Sequence, residues 1–238
     1  MTKTVCIFMY HQVGEFAPMT THRPTYCHYK NFRKQMAYLR RGGYAVLSLP
    51  EALAGLRGER ETPAYSVALT FDDGYENFHE YAAPELQKHG FPATVFLVTQ
   101  KIGGCADWLA PDGHVAAPLM DERQIRELKA AGVLFASHGR THRRLSALDV
   151  AEARREVVES KAELEAMLGE PARYFCYPYG DYTPAAVEAV KEAGYEAALT
   201  CIRGRARPDD PLPELPRMAV SFGTTLPGYL WKLHFQKR

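Results

Sequence analysis

"SVALTFDDGYENF", residues Ser66–Phe78, runs an apolar stretch straight into two adjacent carboxylates, Asp72 and Asp73, and then into Gly74. Two acids side by side repel each other, and Asp-Gly taken alone specifies no more than a turn. The surroundings decide between these readings. SVALTF (66–71) is β-rich and apolar throughout, as a buried parallel strand is. NFHEYAAPELQKHG, which follows, has a helical pattern and stops at Gly90.

The same alternation recurs on both sides of this stretch. VCIFMY (5–10) predicts a first strand, and residues 29–43 an amphipathic helix with Phe32, Met36 and Leu39 on one face and two glycines at its end. YAVLSL, PATVFLV (92–98), VLFAS (133–137), ARYFCYP and EAALT (196–200) predict further strands. Helical patterns lie between them. PEALAGL begins at Pro50, DERQIRELKAAG has an acidic start, and residues 149–169 put Val150, Ala153, Val157, Leu164 and Leu168 on one side. TPAAVEAVKEAGY carries Thr183 as N-cap and Pro184 behind it. A loop rich in Gly, Pro and Asp spans about 101–118.

Strands alternating with helices imply a parallel sheet. Seven or eight strands, with no GxGxxG after the first, favour a closed α/β barrel over an open dinucleotide-binding sheet. A length of 238 residues fits one such barrel, so residues 1–238 are expected to form a single domain.

Composition narrows the function class. A net charge of +1 gives no footprint for nucleic acid or an anionic membrane, and runs such as Arg40-Arg41 and Arg143-Arg144 read as solvated faces. No stretch approaches the length of a membrane span, and the apolar run at 5–10 is too short for a secretory signal. The five cysteines are odd in number, widely spaced and lack a CxxC, which fits reduced thiols in the cytoplasm. No stretch marks a subunit interface.

In a barrel of this kind chemistry collects at the C-terminal ends of the strands. Those ends are polar here. The first strand ends in His11, SVALTF in Asp72-Asp73, VLFAS in His138 within SHGRTH, and ARYFCYP in Tyr179-Gly180-Asp181. His138 and His142, four residues apart, can converge on one divalent ion. One carboxylate from the aspartate pair completes a His₂Asp set and leaves a coordination position open, the catalytic zinc pattern. Successive side chains at a strand end point to different sides. One aspartate can therefore ligate while the other takes a proton from water as general base. Gly74 permits the sharp turn between these roles.

TFDDG, SHGRTH and YPYG, in that order, resemble the first three motifs of the polysaccharide deacetylase family, carbohydrate esterase family 4. The resemblance extends from about residue 9 to about 220. It implies a distorted (β/α)7 barrel that removes acetyl groups from N- or O-acetylated sugars with a divalent metal, zinc first and cobalt or nickel as alternatives. Position by position, it implies Asp73, His138 and His142 as metal ligands and Asp72 as general base. Pro178, Tyr179 and Gly180 would line the substrate groove, with the Tyr179 N–H offered to the oxyanion.

Two departures stand out. The family commonly has an arginine where this chain has Cys176. Arg173 should face the other side of its strand, which leaves Arg217, in PELPRMAV, to approach from another strand end. The family's last motif, Leu-x-His, is not evident. His234 in WKLHF has that local pattern on a tail helix, but His11 is the better-placed general acid.

Trp108, on the long loop, is expected either to stack on a sugar ring or to cap a hydrophobic cluster. The cysteines, Cys105 and Cys176 among them, are expected to be small buried apolar residues. His22, His28, His79, His89 and His114 are expected at the surface. The expected partner is an acetylated carbohydrate, such as a glycan precursor or oligosaccharide. The alternatives are an amidohydrolase acting on a small non-sugar C–N bond and a barrel that binds sugar without turnover.

Overall fold

The computed structural model of the protein describes residues 4–112 and 115–235. Its strands are β1 (Cys6–Tyr10), β2 (Gln12–Gly14), β3 (Tyr26–His28), β4 (Ala45–Leu47), β5 (Ser66–Phe71) and β6 (Thr94–Leu97), then β7 (Cys105–Ala106), β8 (Ala117–Pro118), β9 (Leu134–Ser137), β10 (Tyr174–Cys176), β11 (Ala197–Arg203) and β12 (Leu215–Ala219). The α-helices are α1 (Tyr29–Arg41), α2 (Leu49–Leu56), α3 (Ala83–His89), α4 (Glu122–Ala130), α5 (Val150–Leu168), α6 (Pro184–Glu192) and α7 (Leu226–His234).

Seven parallel strands close a ring in the order β1-β12-β11-β10-β9-β6-β5, and β5 returns to β1 in register from Cys6↔Val67 to Tyr10↔Phe71. The eighth strand, β4, pairs with the first half of β5 at Ser66–Ala68, and β6 takes over from Thr70. This is the closed α/β barrel expected from the strand–helix alternation, in the distorted (β/α)7 form that the family resemblance implies.

Strand alternation divides the core. Phe8, Tyr10, Val67, Leu69, Phe71, Val95 and Leu97 face outward, under Phe32, Met36 and Leu39 of α1, Leu86 of α3 and Ile125 of α4. Each such side chain taken out of water contributes about 1.5–3 kcal/mol. Ile7, Ala68, Phe96, Ala136, Cys176, Leu199 and Leu215 form an inner cluster with Leu49, Leu53 and Leu56 of α2. The inward positions of β5 are therefore Ala68 and Thr70, and continuing the period of two brings Asp72 inward as well.

Several expectations are corrected. Val150 is 68% exposed, because α5 begins there and its buried face starts at Ala153. The strand after α6 extends to Arg203 rather than residue 200. The helix after Asp72-Asp73 opens as a π turn, Phe78–Ala82, before α3. Pro84, which has no N–H for the α pattern, sits in the first turn beyond it. Cys105 and Cys201 are exposed, unlike the buried Cys6, Cys27 and Cys176. Cys105 lies on a loop strand, and Cys201 on the part of β11 that has left the core. Thr183 does cap α6, accepting from the Ala186 N–H at 3.2 Å. Among the described residues no helix is long and apolar enough to cross a membrane.

Candidate active site

The site forms where β1, β5, β9, β10 and β12 meet. Asp72 is anchored by its N–H, which donates to the Tyr10 carbonyl at 2.9 Å. The chain then enters the left-handed region at Asp73 (φ 74°) and Gly74 (φ 80°). A Cβ on Gly74 would stand 2.6 Å from Leu97 Cδ2, so only glycine fits the turn.

That turn separates the two carboxylates. Asp72 faces Arg217, whose Nη1 and Nη2 each donate to one of its oxygens at 2.7 Å. Arg217 also donates from Nε to the Thr200 carbonyl at 2.9 Å, from Nη1 to Thr70 Oγ1 at 3.1 Å and from Nη2 to Cys176 Sγ at 3.0 Å. All five of its N–H donors are thus used, on a side chain that is fully buried. Burial pushes the Asp72 carboxyl up, but the Arg217 charge and its hydrogen bonds outweigh burial and hold it below the usual carboxylate range.

Arg217 therefore occupies the role anticipated for it, with one correction. It sits within β12, not at a strand end, and turns inward with the same parity as Leu215. Cys176 is small enough to admit its guanidinium. The thiol lies 3.6 Å from Asp72 Oδ2 and contacts Arg217, so it is a polar neighbour of the site as well as a core residue. Arg173 points away and pairs with Glu196 at the surface.

Asp73 faces the two histidines. Its Oδ1 lies 3.2 Å from His138 Nε2 and 3.1 Å from His142 Nε2. Tetrahedral donors about 2.0–2.1 Å from a zinc ion stand about 3.3–3.4 Å apart, close to this spacing. Asp73 Oδ1 accepts no well-aligned hydrogen bond although it is buried. His138 Nδ1 lies 2.8 Å from the Cys176 carbonyl, which fixes the proton there and leaves the Nε2 lone pair for an ion. Asp73, His138 and His142 thus fit a divalent metal. Burial pushes the Asp73 carboxyl up, but His142 and His138 reverse this and hold it well below its ordinary value.

His142 reaches this point through a strained backbone, φ 63°. The strain is held by Glu156 of α5, a buried carboxylate 15 or so residues further along the chain. Glu156 Oε2 accepts from the Arg140 N–H at 2.9 Å and the Thr141 N–H at 2.8 Å, and Oε1 from the Thr141 hydroxyl at 2.5 Å. Nothing in the residue pattern singled Glu156 out, since a glutamate on a charged helix reads as solvent-facing.

Aromatic rings cover the histidines. Trp108 stacks on His142 with centroids 4.0 Å apart, and Tyr179 packs on the same ring at 4.5 Å. Trp108 belongs to a satellite cluster with Tyr75, Ala106 and Leu119, which bears out its capping role. Tyr179 has φ 60° and is followed by Gly180 (φ 65°), where a Cβ would meet Cys201 Cβ at 2.5 Å. The Pro178–Gly180 turn thus stands over His142, and Arg144 stacks on Tyr179 at 4.1 Å.

His11 Nε2 lies 4.0 Å from Asp72 Oδ2, beside the ion pair and outside the metal set. His234 does not reach the site: its Nε2 lies 2.9 Å from the Tyr44 hydroxyl on the barrel's flank. His22, His28, His79 and His89 are partly exposed and lie off the site, while His114 lies outside the described residues.

The sequence pattern of the polysaccharide deacetylase family matches residues 59–198. YxkH of Bacillus subtilis, assigned by name to the polysaccharide deacetylases, is 28% identical over 217 residues, covering 91% of this chain and 71% of that one. The Escherichia coli poly-beta-1,6-N-acetyl-D-glucosamine N-deacetylase is 26% identical and is matched over 82% of this chain but only 33% of its own length. The fold is shared with the Streptococcus pyogenes deacetylase PplD, solved in complex with acetate, at TM-score 0.84 and 23% identity over 98% of this chain and 100% of that one. With Asp72, Asp73, His138 and His142 assembled at one end of a (β/α)7 barrel and more than half the chain matching the family's pattern, the chain belongs to the polysaccharide deacetylase family.

Proposed function

We propose that this chain, as one catalytic domain over residues 1–238, is a hydrolase that removes acetyl groups from an N- or O-acetylated carbohydrate, with Asp73, His138 and His142 holding zinc. The observation that carries this reading is the division of labour at the aspartate pair. Asp73 faces two imidazoles with an unsatisfied oxygen, while Asp72, next to it in the chain, is kept ionised by Arg217. Two imidazoles and one carboxylate suit zinc, which when bound polarises the acetyl carbonyl and lowers the pKa of water.

The chain's own residues do the rest. Asp72 accepts the proton of the attacking water, and Arg217 fixes both of its oxygens so that the carboxylate cannot swing into the metal set. His11, beside Asp72, delivers a proton to the departing amine or alkoxide. The Tyr179 N–H faces the oxyanion, and Pro178, Gly180 and Trp108 shape the mouth. Tyr179 and Trp108 also restrain His142 by packing on its ring. The named substrate of the Escherichia coli relative, a β-1,6-linked N-acetylglucosamine polymer, makes N-acetylated glucosamine oligomers the first substrates to try. Five unpaired cysteines favour a reducing, cytoplasmic setting.

Acetate release from a panel of N- and O-acetylated oligosaccharides, zinc-loaded wild type against Asp72→Asn, tests the reading. Release by wild type that is lost in the variant is expected. Equal release from both, or none from any member by zinc-loaded wild type, would overturn it.

A further inference from the structure

One flank of the barrel carries charge that the site above does not use. A groove of about 560 Å³ runs between α1 and α3, within the range of ligand clefts. Lys30, Arg33, Lys34, Arg40 and Arg41 of α1 and Lys88 of α3 line it. On α1 these positions recur at helical spacing around Ala37, so they form one stripe about 16 Å long at 1.5 Å per residue. The opposite face of α1, Phe32, Met36 and Leu39, is buried in the core.

The stripe is not neutralised. Its one carboxylate, Glu85, is 6% exposed and already shared by His89 at 3.0 Å, Arg33 at 3.7 Å and Lys88 at 3.8 Å. Lys30, Lys34, Arg40 and Arg41 form no ion pair among the described residues, although the whole chain carries a net charge of only +1. Unpaired like charges in one groove repel, and an anionic ligand relieves that repulsion.

The lining indicates what kind of anion fits. It contains no Phe, Tyr or Trp on which nucleobases could stack. The apolar face of α1 is spent on the core, so the helix has nothing to insert into a bilayer, and the surface is concave. A linear chain with regularly spaced charges matches both features. The stripe is linked to the site through the backbone. Lys30 follows β3, which pairs with β2, the strand immediately after His11.

We propose that the α1–α3 groove binds an anionic glycan chain, bearing carboxylates or phosphates, and holds the polymer whose acetylated unit is presented to Asp72. This rests on the deacetylase reading. The test is binding of fluorescent polygalacturonate and of a phosphate-bearing mannan, followed by anisotropy at low and high salt. Wild type is compared with Lys34→Glu/Arg41→Glu and with Arg40→Gln/Lys88→Gln, all exposed positions.

At least one polymer is expected to bind wild type and weaken with salt. The charge-reversed variant is expected to lose about tenfold or more, and the neutralised variant less. Acetate release from a short neutral acetylated oligosaccharide should be unchanged in both. Binding of neither polymer, equal binding by wild type and the reversed variant, or tighter binding to phosphatidylglycerol vesicles or duplex DNA would overturn the proposal. Polymer binding that depends on the groove, in a protein that releases no acetate, would contradict the catalytic reading and leave the groove assignment standing.

Discussion

Asp72 and Asp73 are adjacent in the chain, equally buried, and built into opposite kinds of environment. On the Asp72 side the accounting is complete: Arg217 uses all five N–H donors, two of them on this carboxylate. On the Asp73 side it is open, with an oxygen that lies 3.1 and 3.2 Å from two imidazole nitrogens and accepts no well-aligned hydrogen bond among the described residues. A buried polar group without a partner is costly to the fold. The difference therefore separates a carboxylate fixed by the protein from one whose surroundings suit a divalent ion.

The largest expected effect breaks the closed side. Arg217→Met leaves the Asp72 carboxylate buried without its counter-charge, and urea unfolding should show a loss of about 3–5 kcal/mol. A loss under about 1 kcal/mol, the range of exposed pairs, would mean that water reaches Asp72 freely.

Asp73→Asn attacks the open side and should behave differently. It removes a carboxylate whose ionised form His142 and His138 favour, so metal-free stability should fall, but by less than in Arg217→Met. Zinc affinity should fall by more than the 10–100-fold typical of losing an outer partner. Isothermal titration and metal-free unfolding measure the two quantities separately, and a variant destabilised like Arg217→Met would erase the contrast.

Glu156→Gln sharpens the comparison one layer out. It keeps the shape but loses the charge that holds the Arg140 and Thr141 amides, and with them the strained His142. Zinc affinity should drop about 10–100-fold. Unchanged affinity would show that packing by Trp108 and Tyr179 fixes His142 unaided.

His234→Ala should have the smallest effect. Its ring meets Tyr44 on the flank, so stability should change by less than about 1 kcal/mol and acetate release not at all. A large loss of activity would reinstate it as the general acid.

Much of this was legible in the sequence because the barrel ties chemistry to strand ends. The period of two through SVALTF places Ala68, Thr70 and Asp72 on one side, and SHGRTH supplies two histidines at the end of β9, one strand beyond β5's neighbour β6. Arg217 was harder to read because the family position at Cys176 is filled by a small residue. The replacement comes from 41 residues later, through a strand partner that local sequence does not name. The inward parity of Leu215 and Arg217 is the signal that identifies it once β12 is placed. Glu156 left no signal at all, since its function depends on where α5 packs. Val150 was misread for a related reason: the helical period was right, but Val150 is the first residue of α5 and the buried face starts only at Ala153.

The most direct measurement is a zinc titration of wild type, Asp72→Asn and Asp73→Asn, with acetate release measured on the same samples. The account predicts that Asp72→Asn binds one zinc as wild type does and releases no acetate, whereas Asp73→Asn loses the zinc. Loss of zinc from Asp72→Asn, or wild-type zinc affinity in Asp73→Asn, would contradict the separation of the two aspartates.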